Sequence, residues 1–233
     1  GRANKHLSSF SKKILLAKKI TISLPEKYKS KTCEVGPILN KNIINSSSFK
    51  KINDKGKFSI LVLGGSQGAK IFGTVIPTVV KMIKDAGYEI EINQQCIIEQ
   101  KNSIIDFYKK NNIKSYVFEF DTDILKLVLS SSLAITRCGA STTAELVHTF
   151  TPFIAVPLPN SIDNHQYLNA KYYESKGCCW LLEQDNFNTE NLFNLIMDTI
   201  KNKNKLENIR ENMKKNHNKS VYINIENKIK ELI

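Results

Sequence analysis

Between residues 58 and 182, six short apolar runs alternate with helix-length amphipathic segments, and few folds accept that pattern. The runs fall at 58–63, 88–93, 115–120, 133–136, 153–156 and 178–182. Helical periodicity occupies 68–84, 97–111, 122–131, 141–149 and 163–176, and further helices are expected near 188–202, 204–217 and 220–232. Neighbouring parallel strands must be joined by a crossover, usually a helix, so this alternation predicts an α/β chain with a Rossmann-like, doubly wound parallel sheet. Pro77 should kink or split the helix that carries it. Ligands of such sheets bind beyond the carboxyl ends of the strands, which directs attention to the loops that follow them.

The portion before residue 58 is different. Residues 3–17 can form a helix with Leu7, Phe10, Ile14 and Leu15 on one side. A short strand is expected over 19–24, ended by Pro25, and another over 32–36, closed by Gly36-Pro37; residues 40–57 read as loop or short helix. Two strands and one helix are too little for a domain. The chain also opens Gly1-Arg2-Ala3-Asn4-Lys5, without an initiator Met or an apolar leader, and is expected to be the later part of something longer.

Composition narrows the setting. Of 233 residues 41% are hydrophobic, enough for a sizeable core, yet no apolar run approaches the ~20 residues that span a bilayer. Cys33, Cys96, Cys138, Cys178 and Cys179 are odd in number and lack C-x-x-C spacing, so free thiols in a reducing compartment, the cytoplasm, are expected. Four histidines and no His/Cys/Asp cluster give no basis for a protein-held metal. The net charge of +12 suits anionic partners in general, but the lysines are scattered and no arginine-rich stripe alternates with aromatics, so nucleic acid is not expected.

Three of the strand-following loops carry polar groups suited to a ligand. After strand 58–63 come Gly64, Gly65, Ser66, Gln67 and Gly68, a turn whose glycines admit close backbone approach and whose helix amides would favour a phosphate. The spacing matches neither the dinucleotide fingerprint nor a Walker loop, and a bare βα turn fits the same residues. After strand 133–136 come Arg137, Cys138, Gly139, Ala140, Ser141, Thr142, Thr143, Ala144 and Glu145. Ser141 or Thr142 can cap the helix, with Glu145 near the capping-box position; alternatively the amides and hydroxyls of Ala140 to Thr143 receive a phosphate and Glu145 accepts hydrogen bonds from two ribose hydroxyls. After strand 153–156 comes a loop ending in Asp163, Asn164, His165, Gln166 and Asn169. Asp163 can cap that helix, and His165, with no partner for a catalytic pair nearby, reads more simply as a helix-start residue.

Gly64-Gly-Ser-Gln-Gly-Ala69, Arg137-x-Gly-Ala-Ser-Thr-x-x-Glu145 and the run from Pro157 through Asp163-Asn-His-Gln166-x-x-Asn169-Ala170, in that order, closely resemble the family 28 glycosyltransferases that transfer GlcNAc to make lipid II in bacterial peptidoglycan synthesis. The resemblance covers nearly the whole chain. It implies a GT-B fold, with 1–40 the tail of an amino-terminal acceptor domain and linker, 41–217 a UDP-GlcNAc-binding domain, and 218–233 a C-terminal helix read as returning to the first domain. It implies donor contacts from Gly65, Ser66 and Gln67 and from Ala140, Ser141 and Thr142 to the diphosphate, from Glu145 to the ribose, and from Gln166 and Asn169 to the sugar. No cofactor or metal is implied; the partners are UDP-GlcNAc, lipid I and the inner membrane surface, at whose cytoplasmic face the protein would sit peripherally. Catalytic residues are expected before residue 1.

Two positions depart from the family's pattern. Asn40 stands where an arginine commonly helps to bind nucleotide, and Asp121 stands where an isoleucine usually lies beside the base. Two other readings suit the same residues: a donor-binding subunit that needs a separate amino-terminal partner, and an epimerase-like hydrolase of UDP-GlcNAc, for which Asp163 alone is thin support.

Overall fold

The computed structural model describes residues 6–18, 24–46, 57–65, 69–217 and 221–232. The chain divides into two compact units, one of Gly1–Ile44 with Asn218–Ile233 and one of Asn45–His217.

In the smaller unit, β1 (Ile14–Leu16) pairs in parallel with β2 (Thr32–Glu34), Ile14 opposite Thr32, across the 3-10 helix Glu26–Lys31. Helix α1 (Lys41–Ser46) follows, its first turn held by Asn40, whose Oδ1 accepts the Asn42 amide at 2.9 Å. The expected helix over 3–17 is not what forms: among the described residues the helical turn stops at Leu7 and β1 takes its far end. Serine is the reason. Ser9 Oγ donates to the His6 carbonyl at 2.9 Å and Ser11 Oγ to the Ser8 carbonyl at 3.1 Å, bonds that favour turns over a continued helix. The strand expected over 19–24 lies almost wholly outside the described residues.

The larger unit contains β3 (Phe58–Leu63), α2 (Lys70–Asp85), β4 (Ile90–Gln95), α3 (Ile98–Lys110), β5 (Lys114–Phe118), α4 (Ile124–Ser130), β6 (Leu133–Thr136), α5 (Ala140–His148), β7 (Phe153–Ala155), α6 (His165–Glu174), β8 (Trp180–Leu181), α7 (Thr189–Lys201) and α8 (Lys203–Asn216). Helix α9 (Val221–Lys230) returns to the smaller unit, where Tyr222 Oη donates to the Leu39 carbonyl at 2.7 Å and Asn224 Nδ2 to the Val35 carbonyl at 3.4 Å. Val35, Leu39 and Val221 are buried there.

All six strands of the large sheet are parallel, in the order β5-β4-β3-β6-β7-β8. Successive side chains of a strand point to opposite faces, and the two cores divide accordingly. Ile60, Val62 and Ile135 pack with Phe72, Ile76 and Val80 of α2 and Leu192 and Ile196 of α7. Leu61, Ala134 and Phe153 pack with Leu146 of α5, Tyr173 of α6 and Met213 of α8. Both faces are covered, which explains strands that read as apolar runs rather than as alternation.

Pro77 does not split α2, which runs for 16 residues through it. Gly73, four residues earlier, leaves the space that the Gln100 amide of α3 fills. Pro77 is itself buried in the core face of the helix.

Ile135, fully buried in β6 and central to one core, is a sensitive reporter of this packing. Ile135→Ala is expected to cost roughly 2–5 kcal/mol of stability in urea titration, with little change in the slope of free energy against denaturant.

Candidate functional site

Strand order sets the place. Going outward from the centre of the sheet, the chain moves from β3 to β4 and β5 on one side, and from β6 to β7 and β8 on the other. The helices that leave β3 and β6 diverge to opposite faces, so a crevice opens beyond the carboxyl ends of these two strands.

The loop from β3 begins with Gly64 and Gly65. Gly65 has a φ of +78°, where a side chain would be strained, and nothing lies within 4 Å of where its Cβ would be. Gln95, at the end of β4, holds this loop: its Oε1 accepts the Gly64 amide at 3.0 Å while its Nε2 donates to the Glu119 carbonyl at 3.0 Å. Ser66 and Gln67, named from the sequence, lie with Gly68 outside the described residues.

The loop from β6 behaves differently from the capping scheme that its sequence suggests. The N-cap of α5 is Gly139, not Ser141 or Thr142, and it offers no side-chain hydrogen bond. Ser141 and Thr142 therefore sit in the first turn, and Glu145 lies beyond the capping-box position. The first helical bond is from the Thr143 amide to the Gly139 carbonyl at 3.0 Å, while the amides of Ala140, Ser141 and Thr142 have no partner among the described residues. Thr143 is buried and turns its hydroxyl back to the Gly139 carbonyl at 2.9 Å, so of the three hydroxyls only those of Ser141 and Thr142 remain on the open side. Glu145, a little over one turn further on, is half-buried and its carboxylate has no hydrogen-bond or ionic partner among the described residues. Burial alone pushes its carboxyl above the usual carboxylate range.

The third loop is braced against the second. On α6, Gln166 and Asn169 are one turn apart and bracket the Cys138 peptide. Gln166 Oε1 accepts the Cys138 amide at 3.1 Å and the Leu158 amide at 3.0 Å, and Asn169 Nδ2 donates to the Cys138 carbonyl at 3.1 Å. Both bonds to Gln166 are donated by backbone amides, which fixes its amide orientation and leaves its N–H groups facing away from that bracket. Asp163 does not cap α6: the N-cap is Asn164, without a side-chain bond. Asn160, Asp163 and Asn164 are all left-handed, with φ of 57°, 52° and 52°, a concentration of backbone strain at the mouth of the crevice. His165 Nδ1 pairs with the Ile162 carbonyl at 2.7 Å, a local turn contact.

Arg137 received no role from its sequence context, yet it touches more of the site than any residue that did. Nη1 donates to the Val156 and Pro157 carbonyls at 3.2 and 3.1 Å, Nη2 donates to Gln184 Oε1 at 2.6 Å, and the guanidinium lies 5.0 Å from the centre of the Phe72 ring. Those partners come from the loops after β7 and β8 and from the first turn of α2. No short-range motif could have shown them.

The two departures also find places. Asn40 caps α1 as described, and Asp121 shapes the turn before α4: its Oδ1 accepts the Asp123 amide at 2.6 Å and its Oδ2 the Tyr116 hydroxyl at 2.9 Å. Beside it, Phe120 is 79% exposed.

A doubly wound parallel sheet with an open helix end at its switch point belongs to the class of α/β domains whose ligands bind beyond the carboxyl ends of the strands. The family model described as Glycosyltransferase family 28 C-terminal domain matches residues 59–226, and the chain belongs to that family. Its curated relatives include the UDP-N-acetylglucosamine--N-acetylmuramyl-(pentapeptide) pyrophosphoryl-undecaprenol N-acetylglucosamine transferases of Rickettsia bellii and Pelagibacter ubique. The first is 37% identical over 237 residues, covering 100% of this chain and 66% of the relative. The second is 35% identical over 230 residues, covering 98% and 64%. The chain thus spans about two thirds of the length of these relatives. Among solved structures, Acinetobacter baumannii MurG shares the fold with a TM-score of 0.78 at 23% identity, covering 99% of this chain and 64% of that one. Os79 from O. sativa, solved in complex with UDP, gives a TM-score of 0.61 at 13% identity, covering 90% and 51%.

Glu145 ties stability to pH. Because its folded pKa is raised, both states hold the proton at acid pH and no penalty exists; stability is then lost as the pH rises through the unfolded and folded values. Glu145→Gln is expected to raise the Tm at neutral pH and to leave it unchanged at acid pH, measured by thermal melts across that range.

Proposed function

We propose that this chain forms the donor side of an inverting glycosyltransferase that moves GlcNAc from UDP-GlcNAc to the C4 hydroxyl of the MurNAc in lipid I, giving lipid II. One observation carries this reading: three amides at the start of α5, without partners among the described residues, stand just over one turn before a half-buried carboxylate that also has none among them, all at the switch point of the sheet. An anion fits the amides and a pair of vicinal hydroxyls fits the carboxylate, which is the sequence of groups along a nucleoside diphosphate. The printed names of the relatives supply the sugar and the acceptor.

In this reading the diphosphate lies on the amides of Ala140, Ser141 and Thr142, and Gly65, Ser66 and Gln67 are proposed as its further contacts. Glu145 accepts from the ribose, and Gln166, whose oxygen is committed to the backbone, offers its N–H groups to the sugar, with Asn169 alongside. The acceptor hydroxyl attacks the anomeric carbon, the bond to the diphosphate oxygen breaks, and UDP departs with additional negative charge. Amides already aimed at that charge, reinforced by the helix dipole, stabilise it without reorganisation. The base that takes the hydroxyl proton is expected outside the residues named here. An undecaprenyl acceptor resides in a membrane, so the protein is proposed to work at the cytoplasmic face of the inner membrane, held peripherally. Among the described residues no helix is long and apolar enough to cross it.

Calorimetry with UDP-GlcNAc tests the proposal. Glu145→Ala is expected to weaken binding by about 1.5–3 kcal/mol, the scale of hydrogen bonds to a charged group. Equal affinity in the two proteins would remove Glu145 from the site.

A further inference from the structure

We propose that the buried guanidinium of Arg137 is a fixed counter-charge for the diphosphate of the donor, acting through space and not by contact. The inference rests on the nucleotide reading above and adds a residue to it. Every hydrogen-bond acceptor of this guanidinium is neutral: two backbone carbonyls and the amide oxygen of Gln184. Its remaining neighbour is the face of Phe72. Arg137 is only 8% exposed, and among the described residues no carboxylate pairs with it. An arginine stays protonated in a protein, so the fold holds a whole positive charge away from water without an anion to answer it, an arrangement that costs stability.

Its position gives that cost a purpose. Arg137 lies two residues before Gly139, the N-cap of α5, and its charge stacks on the first turn of α2. The charge therefore lies beside the first turn of α2, and the backbone that carries it leads directly into the amides at the start of α5. An anion arriving on those amides meets a cation already desolvated and immobilised, so the charge is expressed through low-dielectric surroundings and with little salt screening. Burial also pulls the guanidinium below its ordinary pKa, the mark of a charge that the protein itself does not compensate. Arg137 is accordingly a positioning residue that sets the field for the phosphates.

The test separates charge from scaffolding. Gln184→Glu keeps the shape of the acceptor but gives Arg137 a carboxylate; Arg137→Gln removes the charge. NMR titrations of the purified chain would use UDP and, separately, uridine, which lacks the diphosphate. Each variant is expected to weaken UDP roughly tenfold, the scale of one charge pair about 10 Å apart at an effective dielectric near 20, and to leave uridine within about twofold. Unchanged UDP affinity in Gln184→Glu overturns the proposal, as does an equal loss for UDP and uridine in both variants. Should Arg137→Gln not fold, Gln184→Glu decides alone. Failure of UDP to bind the unmodified chain would instead sink the nucleotide reading, and this inference with it.

Discussion

The arrangement depends on the backbone amides that a parallel sheet leaves over at one edge. Every strand of this sheet delivers the chain to its helix on the same side, and each helix begins with amides that lack carbonyl partners. At α7 the Asn188 side chain covers that end by accepting the Asn191 amide at 2.9 Å, whereas the N-caps of α2, α3, α4, α6 and α8 give no side-chain bond. At α5 the cap residue is a glycine, so the donors stay open. Because α2 and α5 depart to opposite faces, those open donors stand at a crevice and not under another element.

Holding such a place rigid takes bonds across several loops. Gln95 joins the loops after β3 and β5, Gln166 joins those after β6 and β7, and Arg137 joins those after β7 and β8 to the start of α2. Most of these bonds end on backbone carbonyls or amides, which fixes the path of the chain itself. Gln166 and Asn169 illustrate the economy of the design: one end of each amide shapes the Cys138 turn, and the bracket sets where the rest of Gln166 can reach. Among the described residues Glu145 has no such brace.

Six strands in register, both faces covered, could be anticipated from periodicity because apolar runs of strand length between amphipathic helices have few other solutions. β3 and β6 fall at the anticipated residues, and the other strands differ by at most two residues at either end. Local chemistry was read less well. The serines at 9 and 11 turned an apparently amphipathic stretch away from helix, α2 continued through Pro77, and neither Ser141 nor Asp163 became the cap that its residue type suggests. Such outcomes turn on one or two hydrogen bonds, and periodicity does not register them.

The order of residues thus decided the class of sheet, the family and which loops bear polar groups, since these follow from spacing along the chain. Only the folded chain decided what each polar group does. Gln166 and Asn169 meet Cys138 from about 30 residues away, and Arg137 meets Phe72 and Gln184 from 65 and 47 positions away. Whether a side chain faces a ligand or a carbonyl depends on which partner the fold brings within 3 Å. For groups this far apart in the chain, the packing of the sheet makes that choice.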